Sequence, residues 1–313
     1  MNKWFILLLF MMGRDMHSFA SSNPVEVDIK TGICKIDGID YPSIGFGTYP
    51  LTGKVCATAV GQAVKAGYRI IDTATYYENF DGIAEALKGQ DRRCFYIISK
   101  VWHDSQSPED LRRDLDVTLE ELQTDYLDGY LLHWPNSKIS IKETLAAMEE
   151  LRQHKKIRHI GLSNVSVNHL KKALEVGVPI TWVQVEMHPY FFDADLLDFC
   201  QEHSIILQAW RPLDLGRIGK DKMLIDIGKK YGKTASQVAL SWIVQHGCIP
   251  LPGSKNESHI RENLDIRDFS LSKEEMQEID QRALKGTRFR LEEEHGLGFT
   301  DELDFSYEEC WPN

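Results

Sequence analysis

Four residues at or just beyond the ends of short apolar runs, Asp72, Tyr77, Lys100 and His133, form a coherent acid–base set. A free tyrosine has a pKa of about 10 and is a poor proton donor near neutral pH. A nearby ammonium stabilises the phenolate and lowers that value. The residue types therefore suggest Tyr77 as a general acid tuned by Lys100, with Asp72 keeping Lys100 charged and in place. His133 would orient a carbonyl group or share the proton. Such a set suits protonation of a carbonyl oxygen. Taken singly each residue has a plainer reading, because an Asp–Lys pair is often structural and a lone histidine often satisfies a core.

The elements that must carry these residues alternate along the chain. Short apolar runs at 44–47, 69–72, 95–100, 127–133, 159–163, 182–186, 205–209 and 249–252 read as strands. Helical patterns near 55–66, 82–87, 108–122, 141–152, 167–176, 194–203, 235–245 and 259–264 separate them, with apolar spacing such as Leu111, Leu115, Leu119 and Leu122. That rhythm implies βαβ units on a parallel sheet, and eight units suffice to close a (β/α)8 TIM barrel, the α/β fold expected here. A doubly wound open sheet would give much the same rhythm. Before the barrel, turns at Lys30-Thr31-Gly32 and Asp37-Gly38 predict a β-hairpin. In barrels the chemistry sits at the C-terminal strand ends. The runs here end in Asp72, Lys100, His133, Ser163-Asn164, Glu186 and Trp210-Arg211, which points to one shared site.

Other classes of function lack support. The chain has 313 residues and a formal net charge of −11, so its overall electrostatics do not favour nucleic acid. Six scattered cysteines show no CxxC or metal-ligand spacing and read as reduced, mostly buried thiols. No GxSxG elbow, HExxH site or GxGxxG fingerprint occurs. At the N-terminus, Lys3 precedes an apolar run from Trp4 to Met12, and Ser18-Phe19-Ala20 resembles a cleavage site. The run is too short to span a membrane. Residues 1–23 are read as a signal-like leader, or as sequence upstream of a later start at Met11, Met12 or Met16, and are set apart from a single domain over 24–313.

Asp72-Thr73-Ala74 with Tyr77, Ser99-Lys100-Val101-Trp102, Leu131-Leu132-His133-Trp134-Pro135 and Gly161-Leu162-Ser163-Asn164 together resemble the aldo-keto reductase signature. Gln184-Val185-Glu186-Met187-His188-Pro189-Tyr190 extends the resemblance, which runs from about Ile44 to Asn263. It implies a barrel that binds an extended NAD(P)H without a Rossmann domain or metal. It also implies that Asp72, Tyr77, Lys100 and His133 are the catalytic tetrad. Ser163, Asn164 and Gln184 would hydrogen-bond the nicotinamide carboxamide, and Trp210 would stack on the ring where the family commonly has tyrosine. Arg211 and Leu213 match positions near the diphosphate, while Ser254, Lys255, His259, Glu262 and Asn263 match adenosine contacts. Tyr49, Trp102, His133 and Trp134 would line the substrate pocket, with a C-terminal tail covering it and Trp311 as a candidate wall.

Two stretches depart from the family pattern. Arg211 replaces a small residue, and Gly253 stands where a lysine often grips the 2′-phosphate of NADP. Lys255 would compensate, making NADPH the expected cofactor and NADH an alternative. The implied activity is reduction of a small-molecule aldehyde or ketone by a monomer with no membrane span in the mature domain. A cofactor-binding regulatory subunit and an unrelated barrel hydrolase or isomerase are the competing readings. Cofactor supply favours the cytoplasm, whereas a functional leader would mean export.

Overall fold

The computed structural model describes residues 25–289 and 298–312, so the leader expected over residues 1–23 lies outside the described residues. Strands β1 (Val25–Asp28), β2 (Ile33–Ile36) and β3 (Ile39–Pro42) form an antiparallel sheet. Its second turn is made by Asp37 and Gly38, both in the left-handed region (φ 48° and 80°), as a two-residue hairpin connection requires.

Eight parallel strands follow: β4 (Gly45–Gly47), β5 (Ile70–Asp72), β6 (Tyr96–Val101) and β7 (Leu127–Leu132), then β8 (Ile157–Ser163), β9 (Trp182–Glu186), β10 (Ile206–Trp210) and β11 (Ile249–Pro250). They pair in sequence order, without the reversal that defines a doubly wound sheet. Past the end of β11, the Gly47 N–H donates to the Pro252 carbonyl at 3.1 Å, bringing the first and last strands together. The architecture is a (β/α)8 barrel.

Helices α1 (Gly53–Ala66), α2 (Phe80–Leu87), α3 (Pro108–Glu121), α4 (Ile141–Gln153), α5 (Val167–Glu175) and α6 (Ala194–Glu202) connect the strands. They are followed by α7 (Lys222–Tyr231), α8 (Ala235–Gln245), α9 (Glu257–Leu264) and α10 (Lys273–Ala283). Side-chain N-caps mark many starts, among them Ser107, Ser140, Asp193 and Thr234. The sequence reading lacks α7 and α10. One lies in the long connection after β10 and the other follows the eighth βα unit, so the repeating rhythm demands neither.

Apolar residues pack in two shells. The larger lies between barrel and helices, and a smaller one fills the barrel with Ile70, Tyr96, Ile98, Leu131 and Trp182. The N-terminal sheet adds Cys34, Ile36 and Tyr41 to the inner shell. Beneath it, Tyr96 Oη accepts from Trp182 Nε1 and bonds His159 Nδ1, both at 2.8 Å. Of the six free cysteines only Cys94 is exposed. No helix among the described residues is long and apolar enough to cross a membrane.

Candidate active site

The chain leaves β5 at Asp72 and makes a short 3-10 turn over Thr75–Tyr77 before α2. A buried polar net fixes that turn. Asn79 Nδ2 donates to Thr48 Oγ1 at 3.0 Å and to the Leu51 carbonyl at 2.9 Å, and Asn79 Oδ1 accepts from Thr73 Oγ1 at 2.6 Å. Thr75 Oγ1 donates to the Lys100 carbonyl at 3.2 Å, tying the turn to β6. Tyr76 and Tyr77 consequently face different ways: Tyr76 is exposed, and the Tyr77 hydroxyl reaches Lys100 at the cleft floor.

Lys100 is fully buried, and the three N–H donors of its ammonium meet three acceptors. They are Asp72 Oδ1 at 2.9 Å, the Thr73 carbonyl at 2.8 Å and the Tyr77 hydroxyl at 3.3 Å. Asp72 Oδ2 accepts from Gln184 Nε2 at 2.8 Å. The His133 ring stands edge-on to Tyr77 with centroids 5.6 Å apart, and its buried Nδ1 has no hydrogen-bond partner among the described residues. The four residues expected to act together therefore do meet.

The electrostatics differ from the sequence expectation. Burial pushes the Tyr77 phenol well above its ordinary value, and the charges of Asp72 and Tyr49 act the same way. Burial lowers Lys100, with Asp72 opposing the shift. The lowering of Tyr77 by a nearby ammonium is thus not found in this resting site. Desolvation disfavours the phenolate, and Asp72 lies against the ammonium that would have stabilised it. Burial also drives His133 well below the usual histidine range, with the Lys100 charge adding to it, so the imidazole is neutral.

Asp72, Tyr77 and His133 line the floor of an elongated cleft of about 800 Å³. Ser163, Asn164, Gln184 and Trp210 line its next section. Asn164 adopts a left-handed conformation (φ 55°), donates to the His133 carbonyl at 2.9 Å and accepts from Trp210 Nε1 at 2.8 Å. Ser163 Oγ donates to the Gln184 carbonyl at 2.8 Å, and Gln184 Nε2 also donates to Gln208 Oε1 at 3.0 Å. These amides and the half-buried indole form a bonded, preset niche with a polar side and a π face. That chemistry fits a nicotinamide carboxamide and ring.

The far section is lined by Arg211, Leu213, Ser254, His259 and Asn263, together with Thr234–Ser236 at the start of α8. Asp214, Leu215 and Gly216 follow in left-handed conformations, folding this connection along the cleft. Lys255 is exposed and lies outside the lining. Gly253 has a steric reason. A Cβ there would overlap the Gly47 carbonyl oxygen, because the ends of the first and last strands meet at that point. A lysine side chain cannot be placed on this backbone without displacing it.

Tyr49, Trp102 and Trp134 line the cleft, and two further aromatics, Tyr76 and Phe289, line it with them. Tyr76 stacks on Trp102 with centroids 4.0 Å apart and planes 12° off parallel. Phe289 stands edge-on to Trp210 at 6.3 Å, with the Arg211 guanidinium 3.9 Å above its ring. Tyr76 adjoins Tyr77 in sequence, a signal that could have been followed; Phe289 lies in a tail without periodicity. The expectation that Trp311 walls the pocket is corrected. Trp311 is buried against His169 at 4.9 Å, and Lys172 on α5 donates to the carbonyls of Cys310 and Trp311, the latter at 2.6 Å. A buried ammonium captures the chain end away from the cleft.

Comparison with known proteins agrees with this geometry. Residues 43–283 match the profile described as Aldo/keto reductase family. The chain is 41% identical over 248 residues to glyoxal reductase of Bacillus subtilis (strain 168), covering 78% of this chain and 90% of that one. It is 36% identical over 264 residues to methylglyoxal reductase DkgA of Escherichia coli (strain K12), covering 82% and 93%. Among solved structures, a putative 2,5-diketo-D-gluconic acid reductase B superposes with a TM-score of 0.78 at 32% identity, covering 85% of this chain and 94% of the other. Aldose reductase from Schistosoma japonicum superposes with a TM-score of 0.77 at 30% identity, covering 84% and 96%. The chain belongs to the aldo/keto reductase family.

Proposed function

We propose that this protein reduces aldehydes and ketones to alcohols with NADPH, Tyr77 being the general acid. The observation that carries the reading is the Lys100 ammonium held between Asp72 and the Tyr77 hydroxyl at the floor of the cleft. When bound, the reduced nicotinamide supplies hydride to the carbonyl carbon. Tyr77 would hold its proton at the phenol oxygen, where burial retains it, and release it to the carbonyl oxygen as negative charge develops there. Lys100 would steady the phenolate left behind, and Asp72 would keep the ammonium charged between turnovers. Neutral His133 would orient the carbonyl by hydrogen bonding. Ser163, Asn164, Gln184 and Trp210 would hold the nicotinamide, while Arg211, Leu213, Ser254, Lys255, His259 and Asn263 would hold the phosphates and adenosine. Tyr49, Trp102 and Trp134 would surround the substrate. The names of the relatives put 2-oxoaldehydes on the list of substrates to try, and the aromatic lining of the cleft puts aryl aldehydes ahead of the smallest of them.

The test is consumption of NADPH and NADH over a panel of aldehydes and ketones, with Tyr77→Phe alongside. The expected result is wild-type turnover that falls by about 10²–10⁴ in the variant while cofactor affinity is kept. Tight NADPH binding with no turnover on any carbonyl would point instead to a cofactor-binding regulatory subunit.

A further inference from the structure

The motif that supplies Gln184 to the cleft also contains Glu186 and His188, which have no part in the chemistry proposed above. Both are buried at or just past the end of β9. The Tyr190 N–H donates to His188 Nδ1 at 3.3 Å, which assigns the ring proton to Nε2, and Nε2 lies 3.1 Å from Glu186 Oε1. The second carboxylate oxygen, Oε2, accepts from the backbone N–H of Phe289 at 2.8 Å, across 103 residues of sequence. A buried carboxylate is stable only when its oxygens find donors, and a tail amide is one of them here.

The same turn engages the same segment twice more. Arg282 Nε donates to the Pro189 carbonyl at 2.9 Å. A Cβ on Gly286 would overlap the Tyr190 carbonyl oxygen, so a glycine is needed for the backbone to pass that close. These three points fix where Phe289 emerges. Its ring then lines the cleft beside Trp210, faced by the Arg211 guanidinium.

We propose that Glu186 is a positioning residue for substrate selection. By holding the Phe289 amide it sets that ring as a wall of the cleft, and the wall favours carbonyl compounds bearing an aromatic or extended apolar group over two- or three-carbon ones. This rests on the reading of the cleft as a carbonyl-reducing site.

The test compares Glu186→Ala, Glu186→Gln, Gly286→Ala and Phe289→Ala with 4-nitrobenzaldehyde and methylglyoxal as substrates. Glu186→Ala and Phe289→Ala should each raise KM for the aromatic aldehyde about tenfold more than KM for methylglyoxal, the worth of one lost ring contact. The Glu186→Ala/Phe289→Ala double variant should go no further than either single one. Glu186→Gln keeps an acceptor and should retain most of the selectivity. Gly286→Ala reaches the same wall from a different contact, should Glu186→Ala fail to fold. Trypsin cleavage after Lys285 or Arg288 should speed up about fivefold or more in Glu186→Ala, through local release of the tail, and stay unchanged in Phe289→Ala, which keeps its N–H. Equal KM shifts for both carbonyls, additive effects, or an unchanged cleavage rate in Glu186→Ala would overturn the proposal. Wild-type enzyme that reduces no carbonyl would instead remove the functional reading, leaving the trypsin comparison to decide the docking.

Discussion

Gly47 and Gly253 stand back to back where the barrel closes: a Cβ built on Gly47 would lie 2.6 Å from the Leu251 carbonyl oxygen, and one on Gly253 would run into the Gly47 carbonyl. Both obstacles are backbone atoms, which cannot rotate away as a side chain could. Installing a lysine, Gly253→Lys, should therefore cost about 1–3 kcal/mol through overpacking. Thermal unfolding would register this as a drop of several degrees. A variant as stable as wild type would show that the strand ends separate easily.

On the function proposed above, with that position closed to a cation, the 2′-phosphate of NADPH would be met from the exposed Lys255 or from His259. Lys255→Ala should raise the Kd for NADPH about tenfold or more, the worth of a charge-assisted hydrogen bond, and leave NADH affinity unchanged. Cofactor titration by fluorescence quenching measures both. Equal loss for the two cofactors, or none, removes Lys255 from the preference.

Burial holds the Tyr77 phenol up and the His133 imidazole down, so neither should titrate across the neutral range. The kcat for carbonyl reduction should be level from about pH 6.5 to about pH 9.5 and fall only as the phenol ionises above its ordinary value of about 10. A basic limb near neutral pH would mean that Lys100 lowers the phenol after all once the cleft is filled.

His169 ties stability to pH through the chain end. It is buried against Trp311, and burial depresses it to about 4. Because the folded value lies below the unfolded one of about 6.5, the contribution is complete above that pH and is lost as acid brings the unfolded form its proton. The two values imply about 3 kcal/mol of destabilisation between about pH 6.5 and about pH 4. Urea unfolding across that window should show a shallower slope in His169→Gln, which still supplies the side-chain partner for the Ser166 cap. Parallel slopes for the two proteins would refute the assignment.

Much of this barrel could be read before its geometry, and the reasons are local. Strands buried on both faces are unbroken apolar runs, so 182–186 coincides with β9 and the other seven strand predictions differ from β4–β8, β10 and β11 by one or two residues at an end. Because strand ends point to one rim, Asp72, Lys100, His133 and Ser163 could be assigned to a common site without coordinates, whereas Gln184, in the middle of its strand, came only from the family resemblance. What escaped depends on distant chain. Nothing near Glu186 indicates that it would accept from Phe289, and nothing near Trp311 indicates that Lys172 would draw it away from the mouth. The direction of the Tyr77 shift escaped as well, since desolvation is a property of the assembled cleft.

The two adjoining tyrosines of the 3-10 turn face different surroundings, Tyr76 pressed flat on Trp102 at the rim and Tyr77 bonded to Lys100 below. The turn that bears them is anchored underneath by Asn79, which touches neither ring's outer partner. Changes at the rim can therefore accumulate without moving the Tyr77 hydroxyl. A lineage carrying this turn is free to exchange one clientele of molecules for another while its chemistry stays constant, which is the kind of separation that lets a single barrel radiate into many enzymes.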